Sequence, residues 1–142
     1  MRRYFEFAVV VLLLSVLALV LLRAIGQVRR DLEEAQMQAE AAAIRAELLE
    51  VLVHRETFGG SLPSGDNPLD WVPGRPRNYL GARDGMPAQT SVWYFDRGAG
   101  ELIYRFDDGH RARFRLSRAA GGSQARGVLA GVGLLRLGDQ RE

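Results

Sequence analysis

YFEFAVVVLLLSVLALVLLRAI, residues 4–25, runs without an intervening proline into GQVRRDLEEAQMQAEAAAIRAELLEVLVHRETF, residues 26–58. The reading of this stem decides the fold. Residues 7–22 carry no charge, and as a helix rising 1.5 Å per residue they would extend about 24 Å, slightly short of a bilayer core. Tyr4 and Phe5 before them and Ala24 and Ile25 after them lengthen the segment to about 33 Å, with Arg23 able to snorkel to the headgroups. A membrane-spanning helix is the adopted reading. Two others compete with it: a cleaved secretory signal headed by Arg2 and Arg3, and the core helix of a wholly soluble protein. The apolar run is longer than a usual signal core, and residues 21–26 offer no small-x-small cleavage site. Arg2 and Arg3 on one side nearly balance Arg23, Arg29 and Arg30 on the other, so charge leaves the orientation almost tied. A short N-terminal tail left in the cytoplasm, with the bulk of the chain translocated, is the simpler insertion and the provisional orientation.

The second part of the stem is periodic. Ile25, Val28, Leu32, Ala35, Ala39, Ala42, Ala46, Leu49 and Val53 alternate spacings of three and four, and every member is apolar. This is a heptad seam. Its alanines, Ala35, Ala39, Ala42 and Ala46, let a partner helix approach closely, whereas Leu48, Val51 and Leu52 widen the apolar face near the end, where it should pack on the chain's own C-terminal part. Asp31, Glu33, Glu34, Glu40, Glu47 and Glu50 with Arg29, Arg30 and Arg45 suit a solvated helix face.

With 142 residues and one span, the chain has room for a single small extramembrane domain. The 19 basic residues are all arginine and the net charge is +2. They form no dense patch interleaved with aromatics, so nucleic-acid binding is not indicated. Without cysteine there is neither a disulfide framework nor thiol chemistry.

Gly59 and Gly60 end the stem. Residues 61–87 are rich in Pro, Gly, Asn and Asp, yet hold Leu62, Leu69, Trp71, Val72, Tyr79 and Leu80, as an ordered, packed loop does. Residues 91–95 and 101–106 are two β-type runs around a glycine-containing turn at 96–100, a hairpin signature. After a second turn, Asp107-Asp108-Gly109-His110, residues 111–116 alternate: Ala112, Phe114 and Leu116 on one face, Arg111, Arg113 and Arg115 on the other. A three-stranded antiparallel meander follows, its apolar face a seat for the widened end of the stem. Residues 128–137 are a weaker fourth strand, interrupted by Gly131 and Gly133, and the tail after Gly138 is expected to fray. The expected fold is α+β: a long N-terminal helix, half membrane-spanning and half extramembrane, packed on a small antiparallel sheet. The segments are 1–25, 26–58, 59–90 and 91–142.

Chemistry is sparse. His54 and His110 are the only histidines, so no histidine or cysteine zinc site can be assembled. Asp107 and Asp108 lack the further spaced oxygens of a calcium loop, and no nucleophile elbow, P-loop or dinucleotide fingerprint occurs. No enzyme activity, cofactor or metal is expected. Arg111, Arg113 and Arg115, joined by Arg105 on the neighbouring strand, form a stripe open to an acidic partner or to plain solvation. Glu6 is the odd residue, a carboxylate at the head of the apolar run. It is either a headgroup-level charge near a helix N-terminus or a group that meets a cation on a neighbouring subunit.

Tyr4-Phe5-Glu6-Phe7-Ala8-Val9-Val10-Val11 resembles the head of a type IV pilin or a type II secretion pseudopilin, in which a glutamate follows a few apolar residues and precedes a long hydrophobic helix. Asn67-Pro68-Leu69-Asp70-Trp71 with Arg75-Pro76-Arg77-Asn78-Tyr79-Leu80-Gly81, and Trp93-Tyr94-Phe95-Asp96 with Gly100-Glu101-Leu102-Ile103-Tyr104-Arg105, are similar to stretches of pilin-like proteins in the same order. The resemblance covers about residues 4–106. It implies a single-pass protein of the bacterial inner membrane, N-terminus cytoplasmic and C-terminal domain periplasmic. It also implies a structural or accessory part in a type IV pilus, such as the mannose-sensitive haemagglutinin (MSHA) pilus, or in a type II secretion system. The implied partners are pilin or pseudopilin subunits and the membrane assembly platform. The family's glutamate pairs with a neighbour's N-terminal amine, a role that maps onto Glu6. The glycine after which prepilin peptidase cuts has no counterpart: Arg3 precedes Tyr4, and no glycine occurs before Gly26. By that pattern the chain is not processed. The proline often found midway along pilin spans is also missing. A reading from another class is a membrane-anchored periplasmic binding module presenting Trp71, Tyr79 and the arginine stripe to a ligand.

Overall fold

The computed structural model describes residues 1–61, 63–117 and 133–140. Helix α1 runs over Arg2–Phe58 as one element. Alanine, leucine, glutamate and arginine, all good helix formers, dominate its second half. It stops where Gly59 adopts a left-handed φ of 76° and its amide bonds back to the carbonyl of Arg55 at 2.8 Å. Only glycine takes that conformation without steric cost, so the Gly59-Gly60 pair ends the helix by backbone geometry.

By its internal contacts the chain divides into two compact units, Met1–Gln36 and Met37–Glu142. The first is helix alone. It contains a segment long and apolar enough to cross a membrane, none of whose most apolar window is buried within the chain. Phe7, Leu12 and Leu17 are each more than 60% exposed, so this stretch is no core helix of the chain's own making.

In the second unit the sheet has five strands in sequential order: β1 (Tyr79–Arg83), β2 (Val92–Asp96), β3 (Glu101–Arg105), β4 (Arg111–Ser117) and β5 (Gly133–Gln140). The β2–β3–β4 meander is antiparallel, with Tyr94 opposite Ile103 and Leu102 opposite Phe114, and β5 continues it antiparallel beside β4. The expected antiparallel sheet is corrected at its other edge. Strand β1, inside the stretch read as loop, pairs parallel with β2, and the sheet is mixed. A parallel return this short is feasible because residues 84–91 at about 3.3 Å each can reach back some 26 Å, more than the length of a five-residue strand. Asn78 secures the return: its side-chain amide donates to the Ser91 carbonyl at 2.8 Å, and its own carbonyl accepts from the Trp93 amide at 3.1 Å. The last strand also differs from expectation, since it extends through Gln140 instead of ending near Gly138; residues 128–132 lie outside the described residues.

One face of the sheet, carrying Trp93, Phe95, Leu102, Tyr104, Ala112, Phe114, Leu116 and Leu134, forms the core with Met37, Ala41, Ile44, Leu48 and Leu52 of α1. Trp93 is at the centre, 5.1 Å from Tyr104 edge-on and 5.5 Å from Phe114. Polar bonds fix the helix at the margins. Trp93 Nε1 donates to Glu40 Oε2 at 2.5 Å, the Gly74 amide donates to Glu47 Oε2 at 2.9 Å, and Arg45 Nε donates to the Leu134 carbonyl at 3.2 Å. The connecting loop packs as expected from its apolar residues: Leu69, Trp71 and Val72 are buried. Asn67 caps the short 3-10 turn Pro68–Asp70 by accepting from the Leu69 amide, and its side-chain nitrogen donates to the Tyr79 hydroxyl at 3.1 Å.

Candidate functional site

Within the second unit, α1 has two apolar seams with different fates. The one that packs on the sheet is Met37, Ala41, Ile44, Leu48 and Leu52, each at most 3% exposed. Ala39, Ala42, Ala46, Leu49 and Val53 belong to the heptad seam, and all are exposed. At about 100° per residue the two seams are centred some 140° apart around the helix axis. The helix therefore binds its own sheet with one side and turns the heptad seam outward. Ala35, in the first unit, is likewise exposed, as are Ile25, Val28 and Leu32.

The lower end of the outward seam is concave. Ala46, Leu49, Glu50 and Val53 border a groove of about 390 Å3 that continues past His54 and Thr57 to Phe58. Ala46 supplies the depth, because its methyl leaves space between the larger Leu49 and Val53. The rings of His54 and Phe58, 4.8 Å apart, close the far end.

The outer face of the sheet carries the arginine stripe, whose members are engaged internally. Glu101, 4% exposed, is the centre: Arg115 Nη2 donates to its Oε1 at 2.6 Å, and Arg113 Nη1 lies 3.5 Å from its Oε2. A buried carboxylate is costly unless paired, and two guanidinium groups supply the pairing. Arg105 donates to the carbonyl of Pro87. Arg111 hydrogen-bonds the Tyr94 hydroxyl; burial raises the Tyr94 phenol above its ordinary value, with Arg111 opposing that rise. Burial likewise raises the Tyr79 phenol, opposed by its bond to Asn67. Arg115 keeps 54% of its side chain exposed, against 27% for Arg113. Two members of the stripe, Arg113 and Arg115, thus hold Glu101 while Arg105 and Arg111 bond other groups, and Arg115 is the most open of the four.

Glu6 pairs within its own helix. Its Oε1 lies 3.5 Å from Arg2 Nε one turn earlier, and both side chains are largely exposed. An exposed pair of this kind contributes little and exchanges readily for another cation. The Asp107–His110 segment is a turn: the Gly109 amide bonds the Phe106 carbonyl, and Asp108 is taken up by His110, whose ring stacks on Phe106.

Sequence reasoning missed Glu101 as the partner of the stripe. The β3–β4 register, which places Leu102 opposite Phe114 and so sets Glu101 beside Arg115, carries that pairing, and the strand sequences alone do not fix it. Comparison of the chain with protein-family models, with curated proteins and with solved structures gives no match.

Proposed function

We propose that this chain is a pilin-like or pseudopilin-like assembly subunit of the bacterial inner membrane, built into or assisting a type IV pilus of the MSHA kind or a type II secretion system. Residues 4–25 anchor it, the N-terminus stays cytoplasmic, and the sheet unit lies in the periplasm. The observation that carries this reading is the division of labour on α1. Met37, Ala41, Ile44, Leu48 and Leu52 satisfy the chain's own sheet, while Ala39, Ala42, Ala46, Leu49 and Val53 remain outward. A helix already docked on its domain has no folding use for a second seam, and an assembly helix does. Glu6 serves as an exchangeable anion at the head of the span, released from Arg2 when a neighbour offers a better-placed cation.

The binding-module reading is weakened by the placement of its aromatic residues. Trp71 is 5% exposed and donates its indole N–H to the Gly65 carbonyl, and the Tyr79 hydroxyl is engaged by Asn67. Only Arg115 of the stripe remains largely available to a ligand. Glu6→Gln and Ala42→Trp, made separately in the full-length chain, test the two readings. Both should reduce recovery of pilin-like partners from solubilised membranes while the sheet unit keeps its thermal transition. Unchanged recovery in both, with loss on Arg115→Ala, would favour the binding module.

A further inference from the structure

The outward seam has a shape as well as a period. With Ala39, Ala46 and Val53 as heptad positions a and Ala42 and Leu49 as positions d, the groove border Ala46, Leu49, Glu50 and Val53 occupies positions a, d, e and the next a. Four residues in that arrangement form the hole that receives a d-position knob from a parallel neighbouring helix. In an in-register copy of this chain that knob is Leu49 itself. Valine at a with leucine at d also favours two strands over three or four.

The flanking charges agree with the same pairing. In a parallel dimer a g residue faces the e residue five positions on in the partner helix, here Arg45 and Glu50. Both are exposed; Arg45 spends its Nε on the Leu134 carbonyl and lies 5.7 Å over the Phe114 ring, on the sheet side of the helix, so pairing with Glu50 draws on its Nη donors. Two-fold symmetry forms this pair twice. The alanines at 39, 42 and 46 allow the backbones to approach at the short end of helix–helix distances, about 8 Å.

We infer that the outward seam of α1 binds a second copy of this chain, parallel and in register, with Leu49 seated in the hole formed by Ala46, Leu49, Glu50 and Val53. The parallel direction rests on the anchored reading above, because two copies inserted the same way into one membrane present their helices in the same direction. The contact is short, little more than two heptads with only the Leu49 and Val53 layers large, so it is weak in free solution. Membrane confinement raises the effective concentration and makes it populated.

The absence of cysteine makes the test direct. Single substitutions Leu49→Cys, Val53→Cys and, as a control in the exposed β2–β3 turn, Ala99→Cys are made in the full-length chain. Native membranes are then treated with a mild oxidant and resolved without reductant. The expected result is a shift to twice the monomer mass for Leu49→Cys and Val53→Cys, with none for Ala99→Cys, and loss of the Leu49→Cys shift when Ala46→Glu is added. No doubling at either seam position, or equal doubling at Ala99→Cys, overturns the inference. A seam cysteine that crosslinks to a different protein instead of doubling also overturns it, yet leaves the assembly reading standing. Recovery of pilin-like partners decides that reading separately. Matching thermal transitions of the variants establish that the exposed substitutions leave the fold intact.

Discussion

Leu48 and Leu49 are adjacent in sequence and point about 100° apart around the helix axis, onto different seams, 2% and 37% exposed. Truncating each to alanine separates the folding seam from the outward one. Leu48→Ala removes three methyl or methylene groups from the core, at about 0.8 kcal/mol each. The cavity left between α1 and the sheet raises the cost further, toward about 3–4 kcal/mol. For a sheet unit of this size that is a fall in midpoint of at least about 10 °C. Leu49→Ala removes the same atoms from a surface open to solvent and should cost under about 1 kcal/mol in the monomer. The assay is thermal or denaturant unfolding of the full-length chain in detergent, at a concentration where it is monomeric, followed by tryptophan emission, since Trp93 lies wholly within the core. Equal destabilisation by the two substitutions, or a larger effect from Leu49→Ala, would refute the assignment of the seams.

Other consequences concern the polar fixings. Glu101→Ala frees Arg113 and Arg115, which are partly exposed and can hydrate, so a loss of about 1–2 kcal/mol is expected in a denaturant titration. Replacing both arginines by alanine strands a buried carboxylate and should cost more, about 3 kcal/mol. A Cβ on Gly74 would come within 2.4 Å of Glu47 Oε1. Gly74→Ala therefore displaces the flexible Glu47 carboxylate and should cost about one hydrogen bond, roughly 1 kcal/mol, with little further loss in combination with Glu47→Ala. The Tyr79 and Tyr94 phenols are raised above their ordinary value of 10.0 by burial. The folded state then holds these protons more tightly than the unfolded one. Their contribution is fully present below pH 10.0 and is lost as pH rises through the folded values. Denaturant midpoints measured across the alkaline range should fall, and Tyr94→Phe should flatten that fall.

Much of this architecture is legible in the residues, and the gaps have physical causes. The apolar run and the good helix formers after it foretell α1, and the Gly59-Gly60 stop is local chemistry. The alternation of Ala112, Phe114 and Leu116 with arginines foretells β4 and its two faces. Strand β1 escapes because its residues are all half-buried, without period-two alternation, and because its parallel partner is chosen by tertiary packing instead of a turn. The heptad seam is plain in sequence, but which stripe of α1 docks on the sheet is not. Met37 and Ile44, large residues set among alanines, are what the sheet selects, and they leave the more regular seam outward. The Glu40–Trp93 and Glu47–Gly74 bonds join residues far apart in sequence and depend on the final register between helix and sheet. Glu101 reads as one more polar strand residue until the β3–β4 register brings two guanidinium groups to it.

The decisive measurement is recovery of the tagged protein from detergent-solubilised native membranes, with co-purifying proteins identified by mass spectrometry. Pilin-like subunits or their membrane platform should be recovered, and the partners should be lost with Ala42→Trp. A preparation free of such proteins, or one in which Ala42→Trp changes nothing, would contradict an assembly role for the outward seam.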